Sequence, residues 1–125
     1  MELVIGTAGT DGAFVALSDG DRMELGRTSY DVPYANVSLR AHGATMRAPI
    51  IELEARRTSD DVVVSQPFRV RVSLVEADDG ARGIDHLPLY VPDDPEGERT
   101  LVARVIDEDT ETTLTATREV VLVAP

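Results

Sequence analysis

Residues 66–80 read QPFRVRVSLVEADDG, and this stretch decides the fold. Phe68, Val70, Val72 and Leu74 alternate with Arg69, Arg71 and Ser73. A chain with a two-residue side-chain period turns the first set toward a core and the second toward water. A helix would scatter the same residues around its axis. The pattern predicts a half-buried strand over 68–74, entered through Pro67, where a missing N–H does least harm.

The same alternation recurs on either side. Ile51, Leu53 and Ala55 oppose Glu52, Glu54 and Arg56, and Val37 and Leu39 oppose Ser38 and Arg40. No window carries a 3.6-residue period, and the abundance of valine and threonine favours pleated structure. The chain is expected to be all-β, with almost no helix. Its 125 residues suit one domain with a single core.

Upstream, short strands are expected at 2–5, 13–17 and 22–25, the last two joined by a tight hairpin at Asp19-Gly20. Residues 41–49 read as a crossing segment. Residues 76–86 and 91–99 read as loops on their Gly, Pro and Asp content, with a brief strand at 87–91. No repeat or linker interrupts the chain. The expected organisation is a single β domain over 1–125, with 1–47 as an N-terminal hairpin annex and 48–125 as an antiparallel sandwich.

Residues 95–123, PEGERTLVARVIDEDTETTLTATREVVLV, resemble the closing two strands of an immunoglobulin-like or fibronectin-like β-sandwich. A Pro/Gly turn leads into a strand, then an acidic turn, then a long threonine-rich strand. Residues 48–80 are similar to the opening strands of such domains. The resemblance implies an Ig-like sandwich over about 48–123. The chain has no Trp and no Cys, so it lacks the marks of antibody-type members. Such folds serve as adhesion, scaffold and virion modules alike.

Twelve basic residues, all arginine, stand against 23 acidic ones, for a net charge of −11. The arginines are scattered singly among carboxylates, which speaks against a nucleic-acid ligand and an anionic membrane surface. No apolar run approaches the length of a membrane span. The opening MELVIGTAGTDG has no basic flank, so no signal peptide is expected. A lysine-free, Asp-rich composition is that of proteins from salt-loving or GC-rich hosts, where screening tolerates self-repulsion.

The acidic stretch 105–116, VIDEDTETTLTA, is the strongest cation candidate. An EF-hand loop needs glycine at its sixth position and glutamate at its twelfth. Counting from Asp107 these are Thr112 and Arg118, so the motif fails. Calcium could still be gathered from several loops, with Asp78, Asp79, Asp93, Asp94, Asp107 and Asp109 as the pool. The reading preferred is a solvated hairpin turn at 107–111, with no cofactor.

His42 and His86 fall in Gly-containing segments without metal-ligand spacing. A triad of Ser65, His86 and Asp85 would lack a nucleophile elbow, and no catalytic residue is assigned. Three Tyr and two Phe are few for a sugar site. Tyr30 and Tyr34, the one close aromatic pair, are expected to pack within the annex.

In residues 113–125 the even positions Leu114, Ala116, Val120 and Leu122 suit the core, which leaves Val121 and Val123 outward. Val62, Val63 and Val64 pose the same problem on an edge strand. These five valines are the expected interface with the annex or a neighbouring subunit. The expected function is a non-enzymatic assembly protein: a virion component (capsid decoration, turret or tail protein) of a virus of a halophilic or GC-rich host. It would form a homo-oligomer or join other virion proteins, residing in the virion, or in the cytoplasm before assembly. The alternative is a calcium-dependent or carbohydrate-directed binding domain of a surface adhesion protein.

Overall fold

The structure is a computed structural model that describes residues 2–43, 46, 48–77 and 80–125. Its strands are β1 (Glu2–Ala8), β2 (Phe14–Ala16), β3 (Asp21–Glu24), β4 (Gly26–Arg27), β5 (Pro33–His42) and β6 (Ile50–Arg57). They continue with β7 (Phe68–Arg71), β8 (Val75–Glu76), β9 (Arg82–Tyr90), β10 (Gly97–Asp107) and β11 (Thr112–Val123). Sheet one runs β2-β1-β5-β9-β8, with β4 on the first half of β5; sheet two runs β3-β11-β10-β6-β7. The two pack face to face as an all-β sandwich.

Alternation accounts for the core. Ala35, Val37, Leu39 and Ala41 of β5 and Leu87 and Leu89 of β9 face Ile51, Leu53 and Ala55 of β6 and Leu101, Ala103 and Val105 of β10. Ile51, Ala55, Ala103 and Val91 lose essentially all contact with water. Burying a side chain such as Ile51 contributes roughly 2–3 kcal/mol. Leu114 and Ala116 pack against this cluster, and Val120 and Leu122 enter it, as their even positions require.

The N-terminal residues are not an annex. β1 is an inner strand of sheet one, and β3 is the edge of sheet two, where it runs parallel to the end of β11 with Val120 beside Asp21 and Leu122 beside Met23. That parallel pair also makes the second sheet mixed rather than purely antiparallel. Asp19-Gly20 turns the chain as expected, with Gly20 at φ 91°, but it carries the chain between sheets and closes no hairpin. The Gly20 N–H donates to Glu119 O at 2.8 Å, and Asp19 Oδ1 accepts from Glu119 N at 2.9 Å. Arg118 shares the register of the core residues, yet its guanidinium reaches Leu17 O at 3.0 Å and ties this crossing down.

The deciding stretch behaves differently from a single strand. It pairs with β6 only through Phe68–Arg71, crosses between the sheets at 72–74, and joins the other sheet as β8. Phe68, Val72 and Leu74 do pack on or in the core, whereas Val70, at the open edge of β7, is 36% exposed. Residues 82–86, read as loop, belong to the nine-residue β9. A β-bulge absorbs them: Val37 pairs with Leu87 and Leu39 with Ile84, so Asp85 and His86 together oppose Ser38.

Candidate functional site

Sheet one turns outward the even residues of β5: Tyr34, Asn36, Ser38, Arg40 and His42. Arg40 lies across Gly83, its partner in β9, where a Cβ would sit 2.5 Å from Leu39 O. The guanidinium donates to Asp85 Oδ1 at 2.7 Å and Oδ2 at 3.3 Å, and stands 4.3 Å over the Phe14 ring. Phe14 in turn covers Gly6, which has no room for a side chain. The Arg40 hydrogen bonds hold the Asp85 carboxyl below its ordinary pKa against the opposing effect of burial, helped by Ser38.

The bulge sets His86 at φ 62°, a left-handed conformation uncommon outside glycine. Its Nδ1 pairs with Asn36 Nδ2 at 3.2 Å. Tyr34 and Tyr90 meet edge to face at 6.2 Å, with Tyr34 seated over Gly26. Both histidines therefore stand on strands rather than loops, and Tyr34 pairs with Tyr90, not with Tyr30, which is 90% exposed. The considered triad does not form. Ser65 Oγ accepts from Ala55 N on sheet two, while His86 engages Asn36 on sheet one.

The calcium pool is split by β10. Asp93 and Asp94 precede its start, while Asp107 is its last residue and Asp109 follows it; the length of the strand separates the two groups by roughly 33 Å. Asp94 is engaged by Arg57 at 3.0 Å and Arg99 at 3.1 Å. Asp107 closes its own turn, accepting from Asp109 N at 3.1 Å and Thr110 Oγ1 at 2.9 Å, so the stretch 107–111 is a hairpin connection. Asp78 and Asp79 lie outside the described residues. Among the described residues no group of three His, Asp or Glu could hold a metal ion.

The interface valines divide. Val121 and Val123 stand half-buried on the outer face of sheet two, between Arg22 and Glu24 of β3 and Glu98 of β10. Val62, Val63 and Val64 form a strap beside β6: Val62 O accepts from Arg57 N and Val64 N donates to Ala55 O. Further on, Gln66 N donates to Tyr90 O of the other sheet. Val62 and Val63 are each 49% exposed. Val70 of β7 and Val75 of β8 continue the same side of the sandwich, since residues 72–74 link the two edges there.

Around this side arginines and carboxylates form ion pairs. Arg69 pairs with Glu52, Arg71 with Glu108, Arg56 with Glu54 and Asp61, and Arg104 with Glu54. Burial pushes the Glu54 carboxyl up, but its two arginine partners outweigh that and hold it below its ordinary value. Sequence reasoning missed Val70 because it belongs to the alternating run assigned to the core, and Val75 because it lies just past the end of that run.

No family model matches the chain, and no curated protein matches it significantly.

Proposed function

We propose that this chain is a non-enzymatic structural protein that works by assembling with copies of itself. The proposed setting is a virion of a halophilic or GC-rich host, with the chain as an Ig-like capsid decoration, turret or tail component. The observation that carries the reading is the valine side: Val62, Val63, Val70 and Val75 exposed along the edges of both sheets, over β-strands with an open edge. Two molecules of charge −11 repel almost everywhere. Here the paired arginines Arg56, Arg57, Arg69, Arg71 and Arg104 offset much of that charge, so a second copy can approach and bury the valines at lower electrostatic cost than elsewhere.

Sedimentation of the full chain over a range of concentrations, in low and in molar salt, tests assembly. The expected result is a defined oligomer that the double variant V63R/V70E dissociates to monomer. A parent chain that stays monomeric throughout overturns the reading. Recovery of the chain in constant ratio to the shell protein of density-purified particles tests the virion setting.

A further inference from the structure

The five aromatic residues are unevenly placed. Phe14, Tyr34 and Tyr90 all lie on the outer surface of sheet one, and a shallow hollow there is lined by Arg27, Tyr34, Asn36, His86, Pro88 and Tyr90. The Tyr34 and Tyr90 rings, inclined at 65° to each other, supply apolar surface at one end of the hollow, with Pro88 next to them. The Asn36–His86 pair supplies polarity at the other. With the Asn36 amide N–H donating to Nδ1, the neutral imidazole carries its proton on Nε2. The pair therefore offers one donor, Nε2–H, beside one acceptor, Asn36 Oδ1. A hydroxyl group, which donates and accepts at once, is complementary to that arrangement.

An aromatic ring face next to a paired donor and acceptor matches a pyranose ring, with one face of C–H bonds and an equatorial fringe of hydroxyls. Charge argues for a neutral sugar: Arg27 is satisfied by Asp31, and Arg40 by Asp85. The bulge in β9, with His86 at φ 62°, brings the imidazole beside Asn36 in this hollow. We propose that the hollow between Tyr34, Asn36, His86, Pro88 and Tyr90 binds a neutral pyranoside, stacked on the tyrosine end and hydrogen-bonded at the bulge. This site lies away from the valine side and stands independently of the assembly reading.

The test is an amide-shift titration of the 15N-labelled full chain with the methyl glycosides of glucose, galactose, mannose and N-acetylglucosamine. The expected result is saturable shifts with at least one of them, grouped at residues 26–28, 34–36 and 86–90. Y90A should weaken that binding by roughly fivefold to tenfold through the lost stacking. H86G removes the imidazole and relieves the left-handed backbone, so it keeps the fold even if Y90A does not, and it should weaken binding comparably. Shifts with none of the glycosides, shifts confined to another surface, or parental affinity in H86G would each overturn the proposal.

Discussion

Arg99 turns inward and is held to Asp94: its Nη2 lies 3.1 Å from Asp94 Oδ1 and donates to Asp94 O at 2.8 Å, with only 5% of the side chain exposed. The same guanidinium also donates to Glu96 O and Glu98 O, each at 2.7 Å. One buried cation thus satisfies two carbonyl groups of the connection between β9 and β10 and a third at the start of β10. R99L is expected to destabilise the fold by about 3 kcal/mol, because those carbonyls lose their donor and Asp94 keeps only Arg57. R99K should recover little, since an ammonium cannot reproduce the planar fork. Urea denaturation midpoints check both; a loss under about 1 kcal/mol in R99L would contradict the clamp.

Gly83 is required by the arginine above it. A Cβ there would stand 2.5 Å from Leu39 O and 2.6 Å from Arg40 Nη1. G83A should cost about 1–3 kcal/mol through overpacking and dislodge Arg40 from Asp85. G12A serves as the reference, because space is open around Gly12 and any loss there is backbone strain at φ 82° alone. Thermal melts of the two variants, with G83A the lower, check the assignment.

Asp85 sets part of the acid limit. Its carboxyl is held below the ordinary value by Arg40, so its contribution is fully present above that ordinary value, about pH 4. The contribution fades as pH falls through the folded value. Glu54 behaves in the same sense. D85N should melt lower than the parent at neutral pH, and the difference should shrink on going to pH ~2. A gap that widens with acid would reverse the sign of this argument.

Salt should stabilise the chain. Between ~0.1 M and ~1 M salt the screening length falls from about 10 Å to about 3 Å, which weakens repulsion among the surplus carboxylates. The exposed ion pairs that weaken at the same time are each worth less than about 1 kcal/mol. The melting temperature should therefore rise across this range; a fall would mean that the ion pairs dominate the charge balance.

The parts of the fold legible in the sequence are those where one face is dry and the other wet. β6, β10 and β11 fit that rule, as their alternation of Leu, Ala and Val with Arg, Glu and Thr shows. The first half of β9 escaped notice because Gly83, Asp85 and His86 are turn formers by local chemistry, and only the pairing with β5 makes them strand. The break after Arg71 was invisible for the opposite reason: alternation runs unchanged through Leu74 while the chain changes sheets. Of the site, the valine triplet could be read locally. The gathering of Tyr34, Asn36, His86 and Tyr90 could not, since it depends on residues about fifty positions apart lying side by side.

The parallel pairing of β3 with β11 ties residues 21–24 to residues 120–123. A nascent chain leaving the ribosome therefore carries β3 without its only neighbour in the sheet until residue 123 has emerged. Strand β1 waits as well, until β5 is made. Completion of the second sheet is thus postponed until β11 has been made, when roughly a hundred residues must settle together. For such a chain a dense coat of carboxylates has a second use, keeping unfinished molecules on neighbouring ribosomes from sticking to one another.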